Sequence, residues 1–303
     1  MGKVLRALAA QFPTAAARYR RLRSNVRDVH DMYLSRGIAP VETPLGFKFG
    51  GLASSHHVEM QRGTFEVNEV RLLRALFEHV DLFVDVGANV GYFTCVARHA
   101  GLPAVAIEPM PGNLGALYRN LQVNGWTDTE VFPMGASDRP GIQTLYGASS
   151  TGASLIDRWN GAPATFRRAI SVSTLDCILG GRIGPTRILL KMDVEGHEHA
   201  ALLGARALLA SSVPPVCLVE ITLQEYHPGG GNPHFRDCFE LFFSRGYQAF
   251  LLEAAELLPV TEQDVASYVA ANRTGSDFVN YLFVPADMAK VLPLARAALL
   301  AGC

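Results

Sequence analysis

Cysteine, charge and long apolar runs are all scarce in this sequence. The five cysteines, Cys95, Cys177, Cys217, Cys238 and Cys303, are odd in number, scattered, and form no C-x-x-C pair. That excludes zinc ribbons, thioredoxin-like motifs and a disulfide framework, and predicts free thiols in a reducing, cytoplasmic setting. Charged residues are only 18% of the 303 positions against 49% hydrophobic ones, so a disordered chain is excluded. No apolar stretch approaches the ~20 residues that cross a bilayer, because Arg206 and Pro214-Pro215 interrupt the best candidate. Near the N-terminus Ala7-Leu8-Ala9-Ala10 falls short of the ~7 to 15 apolar residues of a secretion signal.

A strong overall charge is lacking too, with 27 basic against 28 acidic residues, yet the distribution is uneven. Residues 1–40 hold eight Lys or Arg against Asp28 and Asp31, leaving 19 basic and 26 acidic residues for the remainder. An acidic body is a poor partner for phosphate backbones, so nucleic acid is not expected. The expected organisation is a basic helical arm and connecting Gly/Pro-rich loop over 1–63, a catalytic domain over 64–285, and a helical tail over 286–303. The arm is read as docking on the body or on a second subunit, with a membrane surface or polyanion as the other reading.

The middle of the chain alternates strands and helices. After a helical pattern from Glu66 to His79 come strand Leu82 to Val86, helix Tyr92 to His99, strand Ala104 to Ile107, helix Asn113 to Val123 and strand Glu130 to Met134. Residues 141–172 break the rhythm as a hairpin or loop insertion. Ser173 then reads as an N-cap, followed by strand Arg187 to Met192, helix His197 to Ser211, strand Val216 to Ile221, a helix to Arg245, and strands near Tyr247 to Leu252 and Phe278 to Val284. Helical crossovers of this length predict an α/β fold: a doubly wound, mostly parallel sheet of seven strands.

The run Asp81-Leu82-Phe83-Val84-Asp85-Val86-Gly87-Ala88-Asn89-Val90-Gly91 sets a buried strand, a tight turn and a helix start in succession. Such a turn lies at the carboxyl edge of the sheet, where open α/β folds bind ligands. It departs from the dinucleotide fingerprint, since Asn89 replaces the middle glycine and the spacing is G-x-x-x-G. Asp85 would repel a pyrophosphate but suits a ligand carrying an ammonium and a sulfonium. Glu108, ending the next strand, is placed to accept bonds from two ribose hydroxyls. Together these residues describe S-adenosylmethionine.

On those residues the sequence resembles the FkbM-type methyltransferases. The resemblance is carried by Val84 to Thr94, by Glu108-Pro109-Met110-Pro111-Gly112-Asn113 with Asn120-Leu121-Gln122-Val123-Asn124, by Ser173-Thr174-Leu175-Asp176, and by Leu190 to Glu198. It spans about residues 64–222 and leaves the arm and tail uncovered. It implies the class I methyltransferase fold, similar to enzymes that O-methylate hydroxyls of sugars and polyketides. By the same resemblance Gly87, Asn89 and Gly91 would hold the amino acid end of the cofactor, and Ala136-Ser137-Asp138 would sit beside the adenine.

Methyl transfer to an alcohol needs in-line alignment and removal of a proton. The carboxyl ends of the fourth and fifth strands face that spot, which makes Asp193 and Glu195 candidates for base or orienting acid, and His197 a third. Glu195 has a second reading, as cap of the helix that begins at Gly196. Lys191 is expected to pair with a carboxylate. His197 and His199 point roughly 200° apart on a helix and cannot share one ion, so no zinc site is expected; Mg²⁺ between Asp193 and Glu220 is the one metal reading kept. The segment His227 to His234 is a mobile lid or a surface loop. The expected activity is S-adenosylmethionine-dependent O-methylation of a sugar, glycolipid or polysaccharide precursor, or polyketide-like metabolite. An NAD-dependent oxidoreductase and a non-catalytic cofactor-binding scaffold stay as alternatives.

Overall fold

The computed structural model describes residues 37–52, 54–147, 152–161 and 166–301; the expected basic arm lies outside them. The described chain opens with strands β1 (Ile38–Glu42) and β2 (Lys48–Gly51) and helix α1 (Ser55–Arg62). The wound core follows as α2 (Val67–Phe77), β3 (Leu82–Val86), α3 (Tyr92–His99), β4 (Ala104–Ile107), α4 (Pro111–Val123) and β5 (Glu130–Phe132). Then come β6 (Gly135–Ala136), β7 (Gly141–Tyr146), β8 (Arg167–Ser173), α5 (Leu175–Leu179) and β9 (Ile188–Met192). Helices α6 (Glu198–Leu203) and α7 (Arg206–Leu209) lead to β10 (Val216–Glu220), α8 (Phe235–Phe243) and β11 (Tyr247–Glu253). The described chain closes with β12 (Glu256–Val260), α9 (Glu262–Ala271), β13 (Asn280–Pro285) and α10 (Leu292–Leu300).

The main sheet has eight strands, in the order β12-β11-β13-β10-β9-β3-β4-β5, where seven were expected. Strands β5, β4, β3, β9 and β10 are parallel, and β13, β11 and β12 extend them antiparallel. The extra strand is β12. Its Pro259 argues against an interior strand but is tolerated at a sheet edge, and the β11–β12 turn uses Ala254 at φ 50 rather than Gly or Asn.

Helices cover both faces, which explains why the central strands are apolar without a break. Leu82, Val84 and Val86 join one core with Leu190, Met192, Leu202, Phe239 and Phe283. Phe83 points the other way, into a second core with Leu73, Val96, Leu189, Leu218 and Leu282.

Two expected boundaries change. The Gly/Pro-rich segment after the arm is a β-hairpin and a helix, because Phe47, Phe49 and Met60 bury into the second core and Gly50 lets Ile38 O approach. The expected helical tail contains α10, whose Ala295 and Leu299 pack into that core against α2. The helix expected over His197 to Ser211 is two helices broken at Gly204, whose missing side chain leaves room for Ser137 O. Residues 141–172 are a hairpin, with β7 and β8 antiparallel and β6 alongside. The cap of α5 is Thr174 rather than Ser173, and Asp176 accepts the Ala207 and Leu208 amides at 2.9 Å, docking α7.

Candidate active site

The turn after β3 bends through three residues at positive φ: Gly87 at 84°, Asn89 at 52° and Gly91 at 83°. At Gly87 the need for glycine is steric as well as torsional, because a Cβ there would stand 1.8 Å from the carbonyl oxygen of Asp193. Glu108, 5% exposed, accepts from Asn89 N at 2.9 Å, Met110 N at 2.7 Å and Asn113 Nδ2 at 3.2 Å, and burial pushes its carboxyl up to about 7. Asp85 sits beneath the turn, where Thr94 Oγ1 donates to it at 2.6 Å. It lines neither cavity of the site.

Two cavities meet at this turn. A narrow slot is lined by Gly87, Asn89, Glu108, Met110, Ala136 and His197. A wider cleft of about 460 Å³ lies on the other side, lined by Glu66, Tyr92, Lys191 and Glu220 among others. Asp193 and Glu195 line both.

Three expected residues take different places. Ala136 walls the slot, but Ser137 is buried behind it and Asp138 is exposed, so neither lines the slot beside an adenine. Ser137 Oγ accepts from Gln143 Nε2 at 2.8 Å and lies 3.2 Å from His197 Nε2. His197 lines the slot and not the cleft, and burial pulls its pKa down to about 4. At that value its imidazole is neutral near pH 7, and it faces the slot rather than the cleft.

Glu195 is held in the left-handed region at φ 55. Trp159 Nε1 donates to its Oε2 at 2.8 Å, and Ser154 Oγ donates to its carbonyl at 2.6 Å. Burial, then the neighbouring Asp193, push its carboxyl up to about 7. Glu195 does not cap the following helix. Glu198 closes that turn instead, accepting from Gly196 N at 3.0 Å and Val194 N at 3.2 Å. Lys191, 3% exposed, lies 3.4 Å from Asp193 Oδ2 and over the Phe93 ring. Burial opposes its charge, but Asp193, Glu66, Asp85 and Glu220 outweigh it, and the ammonium is retained.

Sequence reasoning missed Glu66, Tyr92 and Trp159. Trp159 arrives from the 141–172 insertion and packs on Gly196, where a Cβ would strike its ring. His227 backs it edge-on at 4.7 Å and lies 3.1 Å from Thr222 Oγ1, so this histidine is a buried support and not a lid residue. Glu66 stands at the N-cap of α2 with φ 41, a left-handed strain that turns it toward the cleft. A Glu at a helix start is commonplace, and only the fold reveals its direction. Among the described residues, the one group of three ligand atoms within 4.8 Å of one another is His199, His234 and Asp237, which lines neither cavity. Asp193 and Glu220 belong to no such group, so Mg²⁺ between them is not supported.

A glycine turn at the carboxyl edge of a wound sheet, an acid ending the next strand and an adjoining acidic cleft define a class I methyltransferase. A model of the FkbM methyltransferase domain matches residues 85–249, more than half of the chain, and the chain belongs to that family. It is therefore an S-adenosylmethionine-dependent methyltransferase, and the oxidoreductase alternative falls. Similar solved structures include an O-methyltransferase from Bacillus cereus in complex with SAH, 13% identical, TM-score 0.40, covering 71% of this chain and 78% of that one. Another is the O-methyltransferase TomG of Streptomyces achromogenes, involved in tomaymycin synthesis, in complex with SAM: 13% identical, TM-score 0.40, 71% and 77% covered. A precorrin-6y C5,15-methyltransferase of Geobacter metallireducens is 13% identical with TM-score 0.37, 72% and 87% covered. No functionally curated protein matches.

The slot fits the cofactor. Glu108 has about four lone-pair sites and accepts three bonds, which leaves acceptor capacity facing the slot for a ribose hydroxyl. Asn89 lines the slot at the turn.

Proposed function

We propose that the chain is an O-methyltransferase whose acceptor hydroxyl enters the cleft while the slot holds S-adenosylmethionine. One observation carries this reading: Asp193 and Glu195 are the two carboxylates common to both cavities, so they flank the point where cofactor and acceptor meet. Gly87, Asn89 and Gly91 would hold the amino acid end and Glu108 the ribose. The bound cofactor supplies an electrophilic methyl group on a sulfonium.

Glu195 is the residue proposed as base. Its carboxyl, raised to about 7, is half ionised near neutral pH and basic enough to take the hydroxyl proton as the C–O bond forms. The Trp159 N–H fixes the carboxylate through Oε2. Asp193, tied to Lys191, orients the acceptor and favours positive charge at the junction. His197 positions Ser137 and the slot wall. The acceptor class is a hydroxyl of a sugar, of a glycolipid or polysaccharide precursor, or of a polyketide-like metabolite. Incubating the protein with methyl-labelled S-adenosylmethionine and a panel of such hydroxyl compounds should release S-adenosylhomocysteine and place the label on oxygen. A label on nitrogen or carbon, or turnover unchanged in Glu195→Gln, would overturn the reading.

A further inference from the structure

The cleft holds far more carboxyl groups than cationic ones. Glu66, Asp193, Glu195 and Glu220 line its interior, Glu225 and Asp277 line its exposed mouth, and Lys191 is the one Lys or Arg among the described residues that line it. Lys191 is already committed to Asp193, and Glu195 is held by Trp159. The remaining interior pair is different. Glu66 Oε2 is buried without a hydrogen-bond partner, and Asp193 lies near enough to Glu220 to be the main cause that drives its carboxyl well above the usual range.

A second, independent feature points to a missing ligand. Tyr92 is 2% exposed, lines the cleft, and its hydroxyl has no partner. Buried polar groups left unsatisfied are costly and persist where a ligand completes them. At the mouth, Tyr226 and Phe278 are large aromatic residues left 49% and 40% exposed beside Glu225 and Asp277. Carboxylates interleaved with aromatic faces recognise cations through charge and ring quadrupole together. The cofactor accounts for one net positive charge at the junction, and Glu66 and Glu220 remain for the acceptor.

Resting on the O-methyltransferase reading, we propose that the acceptor is itself a cation: a polyhydroxyl compound carrying a protonated primary amine, as in amino sugars and amino alcohols. Its ammonium donates to Glu66 and Glu220, with the Tyr92 hydroxyl as a third partner, while a neighbouring hydroxyl faces Glu195. Glu66 and Glu220 are thus specificity-determining residues, and the aromatic mouth selects for positive charge on entry.

The test is titration calorimetry on the full chain saturated with S-adenosylhomocysteine, using glucosamine, N-acetylglucosamine and glucose as matched probes. Glucosamine is expected to bind at least tenfold more tightly than the other two. That preference should shrink below threefold in Glu66→Gln and in Glu220→Gln, each checked for an unchanged melting temperature. Should either variant fail to fold, Glu225→Gln at the mouth should weaken glucosamine by twofold or more and leave N-acetylglucosamine unaffected. Carboxylates that become charged on meeting the ammonium also release protons, so the glucosamine binding heat should vary with the ionisation heat of the buffer. Equal affinity for the three probes, absence of binding, a preference that survives both substitutions, or displacement of glucosamine by millimolar Mg²⁺ would overturn the proposal. Failure of S-adenosylhomocysteine to bind in the preceding titration would instead sink the O-methyltransferase reading beneath it.

Discussion

The base proposed at Glu195 concentrates the chemistry at one side chain, and its environment gives two expectations. Its folded pKa is raised to about 7, so the ionised, proton-accepting form gains population as pH rises through that value. The rate should climb with pH along a limb near 7, and Glu195→Gln should lower kcat by about 10²-fold or more, read from initial rates of S-adenosylhomocysteine release. Trp159→Phe removes the N–H that stabilises the charged carboxylate, so the same limb should move to higher pH with little change in acceptor KM. On the cofactor side, Glu108→Ala should weaken S-adenosylhomocysteine by about tenfold or more by calorimetry, about 1.4 kcal/mol. The positions of Gly87, Asn89, Glu108, Asp193 and Glu195 along the cavities were legible because turn chemistry and strand-end acids are written in contiguous sequence. Glu66, Tyr92 and Trp159 were not, since each is carried in by a different segment and its direction is fixed only by packing. Ser137 and Asp138 stood in the right stretch of chain, yet Asp138 points to solvent because it follows the strand by two residues.

Elements hold these residues in place through a few buried polar ties. Asn120, on α4, accepts from Gly50 N and donates to Gly50 O at 2.8 Å and to Val90 O at 2.9 Å. One amide thus fastens the β1–β2 hairpin to the glycine turn. Asn120→Ala strands three buried backbone groups and should destabilise the fold by about 1–3 kcal/mol or more, seen as a lower urea midpoint. The hairpin itself escaped sequence reading because Pro40, Pro44, Gly46, Gly50 and Gly51 around Phe47 and Phe49 look like a loop, and its stability comes from distant rings such as Tyr92. The eighth strand escaped for a related reason, its turn lacking glycine and its own sequence containing Pro259. The parallel core, by contrast, was readable to the residue at Leu82–Val86, Tyr92–His99 and Ala104–Ile107, where burial on both faces leaves no ambiguity of pattern.

Across the whole molecule, the buried acids set the response to pH. Glu66 and Glu198 are raised to about 8 and Glu108 and Glu195 to about 7, so the folded state binds more protons than the unfolded one above pH 6.5. Stability then falls as pH rises, and the ligand-free protein should melt at a lower temperature at pH 9 than at pH 6.5 by scanning calorimetry. His57 and His197 are lowered from 6.5 and act only below that window. One further consequence follows from the carbonyl of Asp193 nested in the space where Gly87 has no side chain. The turn proposed to cradle the cofactor and the loop proposed to meet the acceptor are keyed together like two gears sharing a tooth. Neither can be exchanged alone for that of a relative with different acceptor taste; grafting a new specificity onto this scaffold requires transplanting both turns as a matched pair.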